Sequence, residues 1–108
     1  MLEGQININK KLFAYLKYLR QEEAINEFYG LDGTQIKVLN AVVLLLSEDK
    51  ESKVGDLLGF ASIASPATIH AALKKLTKKN LIQFRQATNS RARYVELTEL
   101  GLKRFNDL

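Results

Sequence analysis

Two five-residue runs near the C-terminus alternate apolar and polar side chains, which is the pattern of half-buried β-strands. They are residues 82–86 (Ile-Gln-Phe-Arg-Gln) and 93–97 (Arg-Tyr-Val-Glu-Leu), and the polar segment 87–92 separates them. The pattern predicts a β-hairpin with a loop of about six residues. Phe84 and Tyr94 are expected in the hairpin core rather than as stacking platforms for nucleic-acid bases.

The chain before this hairpin follows helical spacing. The predicted helices are 9–29, about 34–46, 53–60 and 66–79, with 47–52 as a charged connection, and a last short helix covers 99–107. A buried strand remains an alternative for the apolar run 38–46. Two helices joined by a small-residue turn and followed by a hairpin describe a winged helix-turn-helix. The predicted fold class is mostly α with a small β-hairpin, with an added N-terminal helix.

Capping residues support these boundaries. The expected N-caps are Asn7 or Asn9 for the first helix, Asp32 or Thr34 for the second, Ser65 for the fourth and Thr98 for the last. Pro66 follows Ser65, and proline is favoured at the first helical position. Asn80 suits the C-terminal end of the fourth helix.

Length and composition exclude several classes of protein. The chain has 108 residues, so we expect one domain, 1–108, in which 1–30 is a candidate dimerisation element. It has no cysteine and one histidine, which disfavours disulfides, thiolate metal sites and a thiol nucleophile. No glycine-rich phosphate loop follows a strand, so we expect neither an enzyme nor a cofactor or metal. The longest apolar run, 41–46, is far below the ~20 residues of a membrane span, and no targeting segment is visible, so we expect a soluble, cytoplasmic protein.

Positive charge is concentrated in the second half of the chain. The net charge is +4, and no acidic residue occurs between Asp56 and Glu96, whereas seven lysines and arginines do. This gap covers the fourth helix and the hairpin, which are the elements a winged helix-turn-helix places on DNA. The asymmetry indicates a polyanionic partner, most simply nucleic acid. A solvated basic face without a partner is the alternative.

A helical wheel of 66–79 predicts which residues face that partner. Ile69, Ala72, Leu73 and Leu76 cluster inward. Outward residues are small near the N-terminus, where bases are read, and basic further on, where phosphates lie. The candidate DNA-binding residues are Ser65, Pro66, Ala67, Thr68, His70, Ala71, Lys74, Lys75, Lys78, Arg85, Arg91 and Arg93. Capping alone also explains Ser65 and Pro66, and helix propensity alone also explains the alanines.

Four stretches of the sequence resemble the MarR-type winged-helix transcriptional regulators. They are 31–39 (Leu-Asp-Gly-Thr-Gln-Ile-Lys-Val-Leu), 65–69 with Leu73, Leu76, Lys78 and Lys79, 80–82 (Asn-Leu-Ile), and 89–91 with 95–98 and Gly101. The last is the most specific, because it is similar to the family's wing pattern Asp-x-Arg…Val-x-Leu-Thr-x-x-Gly. Asn89 replaces the usual Asp, and Ala71 replaces a frequent polar or basic base-reading residue.

The resemblance covers roughly residues 31–105 and implies a DNA-binding regulator. Family members continue into long C-terminal dimerisation helices, whereas this sequence stops at Leu108, so a homodimer would depend on 9–29. The sequence leaves open whether the protein binds a small-molecule effector. The expected function is a sequence-specific regulator that binds double-stranded DNA, with the fourth helix in the major groove and the wing in the minor groove. The alternative is a winged-helix protein-interaction module or a replication or plasmid-maintenance module.

Overall fold

The structure is a computed structural model, and it describes residues 9–88 and 91–108. In these ranges the helices are α1 (Lys10–Phe28), α2 (Gly33–Ser47), α3 (Val54–Leu58), α4 (Pro66–Lys78) and α5 (Glu99–Asn106). The strands are β1 (Ser52–Lys53), β2 (Ile82–Gln86) and β3 (Arg93–Leu97). The predicted hairpin strands are confirmed residue for residue, and the run 38–46 is helical rather than a strand.

Side-chain caps begin four of the helices. The caps are Asn9 for α1, Asp32 for α2, Ser65 for α4 and Thr98 for α5, and each accepts a hydrogen bond from a backbone N–H three residues further on. Each cap satisfies one of the backbone donors that a helix start leaves without an intrahelical partner. Of the alternatives, Thr34 lies inside α2, and Asn7 lies outside the described residues.

Helices α2 and α4 pack against each other at the centre of the domain. Val38, Leu39 and Val42 of α2 are fully buried. Ile69, Leu73 and Leu76 of α4 are also fully buried, at the helical spacing that the sequence predicts. Burying a side chain of this size contributes about 1.5–3 kcal/mol. The apolar face of α4 is therefore fixed inward, and its opposite face is left to solvent.

The sheet has three strands in the order β1-β3-β2, all antiparallel. The predicted hairpin is confirmed, but the prediction that residues 47–52 only connect two helices is wrong at its C-terminal end. Ser52 pairs with Val95 and Lys53 pairs with Tyr94, so the end of the connection forms the edge strand β1, and α3 begins at Val54 rather than Lys53. A two-residue strand is too short to show an alternating pattern, which explains why the sequence did not reveal it.

Helix α1 extends away from the rest of the molecule. The radius of gyration is 17.2 Å, against ~13 Å for a compact domain of this length, and the longest dimension is 66 Å. Among the described residues, two side-chain hydrogen bonds link its C-terminal half to the end of the chain: Gln21 Nε2 donates to the backbone carbonyl of Asp107 at 2.8 Å, and the buried Arg104 donates to Asn26 Oδ1. Burial lowers the pKa of Arg104, an effect that Glu22 opposes.

Candidate nucleic-acid interface

Helix α4 begins with the serine and proline that the sequence singled out. Ser65 Oγ accepts from the backbone N–H of Thr68 at 3.3 Å, and the two hydroxyls lie 2.9 Å apart in a hydrogen bond. Pro66 occupies the first turn, where its missing N–H has no cost. Both residues are exposed, so the cap and the start of the helix lie at the protein surface.

The solvent face of α4 contains every candidate residue that the wheel assigned to it. Ala67, Thr68, His70, Ala71, Lys74, Lys75 and Lys78 are all exposed. Along the helix this face changes from small and polar side chains to three lysines. Within the described part of the chain, none of these lysines forms an ion pair with an acidic side chain.

The C-terminal end of α4 is closed by a left-handed residue. Asn80 has φ +60°, and the N–H groups of Asn80 and Leu81 donate to the carbonyls of Thr77 and Leu76 at 3.0 and 3.1 Å. This is the Schellman arrangement, in which asparagine tolerates the left-handed conformation. Asn80 therefore ends the helix, as predicted.

Lys79 is separated from the other lysines of this segment. Its ammonium group donates to the backbone carbonyl of Gly30 and, at 2.7 Å, to Oε1 of the buried Gln35. The end of α4 is thereby tied to the connection between α1 and α2, and Lys79 is turned away from the exposed lysine face.

The two faces of the hairpin differ in chemistry. Ile82, Phe84 and Val95 lie on the face packed against the core, whereas Gln83, Arg85, Tyr94 and Glu96 lie on the outer face. Phe84 is in the hairpin core as predicted. The prediction for Tyr94 is wrong, since its half-buried ring lies under the guanidinium of Arg85, 4.6 Å from the ring centroid.

Arg85 is engaged by acidic neighbours. It forms ion pairs with Glu96 and, at 2.9 Å, with Glu51. The hydrogen bond to Glu96 raises the pKa of Arg85 above its ordinary value, with Glu51 adding to the effect. Sequence reasoning missed both partners. Glu51 is 34 positions from Arg85 and meets it through the pairing of β1, β3 and β2, whereas Glu96 is a diagonal neighbour of Arg85 on the adjacent strand β3.

The other two candidate arginines lie at the far end of the hairpin. Arg91 is in the connecting loop and Arg93 begins β3, and both are exposed. The guanidinium of Arg93 stacks over the ring of Phe84 at 4.4 Å. Asn89 and Ser90, which carry part of the resemblance noted in the sequence, lie outside the described residues.

Helix α4, which buries one face against the core, and the adjacent hairpin can be compared with solved structures. The sequence matches no protein-family model and no curated protein sequence. The fold does have counterparts. Transcriptional regulator Tm0710 from Thermotoga maritima has a TM-score of 0.67 and 12% sequence identity, over 91% of this chain and 68% of that chain. MepR from S. aureus, solved in complex with DNA, has a TM-score of 0.67 and 19% identity, over 90% of this chain and 78% of that chain.

A third solved structure is a MarR-like transcriptional regulator, tm0816 from Thermotoga maritima. Its TM-score is 0.62 with 18% identity, over 94% of this chain and 73% of that chain. This chain has the MarR-like winged-helix fold. The predicted fold class is confirmed, with the edge strand β1 as the addition. No described helix is long and apolar enough to cross a membrane.

Proposed function

We propose that this chain is a sequence-specific transcriptional regulator that binds double-stranded DNA through α4 and the hairpin. One observation carries the proposal: the solvent face of α4 runs from small residues at its N-terminus to three exposed lysines, none of which forms an ion pair with a carboxylate among the described residues. Among the described residues no group of histidine, cysteine and acidic side chains could hold a metal ion. The solved MepR structure, with the same fold, contains DNA, which supports the same partner here.

The order of side chains on α4 suits a helix that enters the major groove. Ala67 and Ala71 leave room for close approach, and an alanine methyl can contact the methyl group of thymine. Lys74, Lys75 and Lys78 follow on the same face and would neutralise phosphates, which positions the protein without reading sequence. We propose Thr68 and His70 as flanking contacts, and Ser65 with Pro66 as the segment nearest the groove floor.

The hairpin supplies the second proposed contact. Arg91 in the loop and Arg93 at its edge are exposed and would lie along the minor groove, where inserted arginine meets strong negative potential. Arg85 contributes less in this proposal, because its guanidinium is already held by Glu51 and Glu96.

We propose further that α1 pairs with α1 of a second copy. Its exposed apolar side chains include Leu12 (41% exposed), Leu16 (52%) and Phe28 (83%). Seven of the ten large hydrophobic side chains that are exposed among the described residues lie on α1, a concentration that favours an interaction site. The same exposure favours the second candidate function, a protein-interaction module, if the partner is a different protein.

The charges of α1 favour an antiparallel pair. Lys10, Lys11 and Lys17 lie in its first half and Arg20 lies just past its middle, whereas Glu22, Glu23 and Glu27 follow in its second half. Bases at a helix N-terminus and acids at its C-terminus both oppose the helix dipole, so this pattern disfavours α1 on its own. Antiparallel pairing places each basic half beside an acidic half.

Fluorescence anisotropy with duplex DNA over a salt series tests the DNA proposal. Each phosphate contact adds about −0.9 to the log–log slope of affinity against salt, so several contacts give a slope of about −4 or steeper. Lys78→Ala should make the slope shallower by about 0.9. The matched control is Lys37→Ala, an exposed lysine on the side of α2 opposite its buried residues, and it should leave the slope unchanged.

Arg91→Ala tests the hairpin in the same assay and should weaken binding while the circular dichroism spectrum stays that of the parent. Equal affinity and equal slope for parent, Lys78→Ala and Arg91→Ala would refute the proposed interface. No binding even at low salt, together with salt-insensitive binding of a protein partner to α1, would instead support the interaction module.

Sedimentation velocity tests the pairing of α1. Leu16→Lys should shift the protein to monomer, whereas the same substitution at Leu44, a leucine of α2 that is also more than half exposed, should not. A dimeric regulator should prefer a two-fold DNA site with half-sites about 10 base pairs apart. A parent protein that is monomeric at concentrations of tens of micromolar would contradict the pairing of α1. It would leave the DNA proposal unaffected.

A further inference from the structure

The C-terminal ends of α1 and α4 are joined by one lysine side chain, that of Lys79. Lys79 is half-buried, whereas Lys74, Lys75 and Lys78 are exposed. We propose that Lys79 is a positioning residue, which fixes the direction of α1 relative to α4 by holding the turn between α1 and α2. In a dimer paired through α1, this direction would set the distance between the two α4 helices on DNA. That last consequence rests on the proposed function, whereas the position of α1 within one chain does not.

The direction of α1 depends on contacts near its C-terminal end. All residues from 10 to 21 are exposed, so the first half of the helix has little packing that could orient it. Further on, the hydrogen bonds of Gln21 and Asn26 join α1 to α5 and the end of the chain. Lys79 makes a different connection, because it belongs to the end of the helix that is proposed to read DNA.

The turn after α1 is closed by a left-handed glycine. Gly30 has φ +66°, and the N–H groups of Gly30 and Leu31 donate to the carbonyls of Glu27 and Asn26 at 3.0 and 2.9 Å. This is a Schellman arrangement, the same one that ends α4 at Asn80. The carbonyl of Gly30 then accepts a hydrogen bond from the ammonium group of Lys79. The two helix ends are therefore linked directly.

The second acceptor of Lys79 is itself held in place. The ammonium group donates to Oε1 of Gln35 at 2.7 Å. Gln35 is 3% exposed, and its side-chain nitrogen donates to Oδ2 of Asp32, the N-cap of α2, at 3.2 Å. Because both ends of the amide are engaged, Lys79 binds a fixed acceptor. It thereby connects the end of α4 to the start of α2 as well as to the end of α1.

Electrostatics also favours a cation at this point. The C-terminal end of a helix carries a partial negative charge, which a nearby lysine stabilises. The last turn of α1 contains no basic residue, and Glu27 adds a negative charge there. Lys79 supplies from α4 the cation that α1 lacks in its own last turn.

The end of α4 is a firm point of attachment, because it is tied to α5 as well. The carbonyl of Asn80 accepts from the hydroxyl of Thr98, and the carbonyl of Leu81 accepts from the N–H of Thr98 at 3.2 Å. Residues 79–81 are thus held on two sides, by the turn after α1 and by the start of α5. A turn held on this segment has a fixed orientation relative to α4.

Double electron–electron resonance between two spin labels tests the inference within one chain. The sequence has no cysteine, so Lys17→Cys on α1 and Lys75→Cys on α4 supply the labelling sites. Dilution with unlabelled protein removes distances between copies, so neither pairing nor DNA is required. Lys79→Met keeps the apolar stem and loses both hydrogen bonds. The ratio of chains at the parent distance to chains at other distances should fall about fivefold, the factor that one net hydrogen bond contributes.

Lys78→Met is the matched control, because it removes the neighbouring charge and keeps the same stem. It should leave the distance distribution unchanged and make the salt slope of DNA binding shallower by about 0.9. Lys79→Met should do the reverse. Gln35→Leu removes one acceptor and gives a second route if Lys79→Met does not fold, and it should broaden the distribution.

Three results would overturn the role of Lys79. The first is an unchanged distance distribution in both Lys79→Met and Gln35→Leu. The second is equal broadening by Lys78→Met. The third is a lower melting temperature of Lys79→Met with the parent distance distribution, which would show that Lys79 stabilises the fold without orienting α1.

DNA duplexes with different half-site spacings test the consequence for a dimer. The parent should prefer half-sites about 10 base pairs apart over half-sites about half a helical turn further apart. In Lys79→Met this preference should fall about fivefold, because fewer molecules have the matching arrangement. A broader distance distribution with the parent preference would refute the link to α4 spacing. A parent that binds no DNA would overturn the proposed function, and the distance measurement would still decide the role of Lys79.

Discussion

Replacing Gly101 by alanine is expected to destabilise the protein, because α5 passes very close to the backbone at the end of α4. A Cβ added at Gly101 would lie 2.1 Å from the carbonyl oxygen of Leu81 and 3.3 Å from Leu97 Cδ2. The first distance is far inside van der Waals contact, and the obstacle is backbone rather than a flexible side chain. To relieve it, α5 must move by roughly 1 Å or more in a closely packed interior.

The structure indicates what that movement costs. Forcing extra volume into a packed site costs about 1–3 kcal/mol. The same shift strains the hydrogen bond from the backbone N–H of Thr98 to the carbonyl of Leu81, 3.2 Å long, whose loss adds about 1 kcal/mol. Alanine has a higher helix propensity than glycine, which stabilises α5 by up to about 1 kcal/mol and offsets part of this cost. With the full offset, the expected loss in the free energy of unfolding is about 1–3 kcal/mol.

Thermal and urea unfolding followed by circular dichroism would measure this loss. For a domain of this size, a loss of about 1–3 kcal/mol lowers the melting temperature by about 5–20 °C. The matched control is Gly55→Ala in α3, where an added Cβ meets nothing within 4 Å. The same chemical change should stabilise that site by about 0.5–1 kcal/mol.

A Gly101→Ala variant that unfolds at the parent temperature would refute the reasoning. So would equal effects of the two substitutions, because helix propensity alone would then account for both. An intact fold with weaker DNA binding would show that α5 adjusts at the expense of the hairpin that precedes it.

Three further predictions concern caps and buried polar groups, and urea unfolding measures each. Asn80→Gly should match or exceed the parent in stability, whereas Asn80→Ala should cost about 1 kcal/mol, because the residue has φ +60°. Asp32→Ala should cost about 1 kcal/mol, since its carboxylate accepts from the Gln35 N–H at 2.8 Å at the start of α2; no change would mean that the cap adds nothing. Asn26→Ala should cost about 1–3 kcal/mol by leaving the buried guanidinium of Arg104 without its acceptor, and adding Arg104→Met should recover most of the loss. If the double variant is less stable than Asn26→Ala, Arg104 contributes packing that methionine does not replace.

Much of the fold follows from local chemistry and could be predicted. The caps at Asn9, Asp32, Ser65 and Thr98 and the strands of the hairpin are confirmed, because capping and alternation act within a few residues along the chain. The buried face of α4 is confirmed for the same reason, since 3.6-residue spacing decides which side chains share a face. Which exposed residues touch DNA stays a prediction.

The features that the sequence did not reveal are contacts between distant segments. β1 has two residues and exists only because β3 offers it a partner. Arg85 is held by a hydrogen bond to Glu51, which is 34 positions away. Lys79 is held by a hydrogen bond to Gln35, which is 44 positions away. No local pattern distinguishes these bases from the exposed lysines of α4.

Taken alone, the sequence determined the order of the helices and the hairpin, the face of α4 that is buried and the concentration of positive charge on α4 and the hairpin. These depend on spacing and charge along the chain, which are local quantities. Tertiary structure decided that Gly101 must lack a side chain, that Ser52 belongs to a third strand, and that Arg85 and Lys79 are held by partners distant in the sequence. Such outcomes depend on which backbone segments approach each other in three dimensions, because packing and ion pairing act over a few ångströms of space and not over positions in sequence.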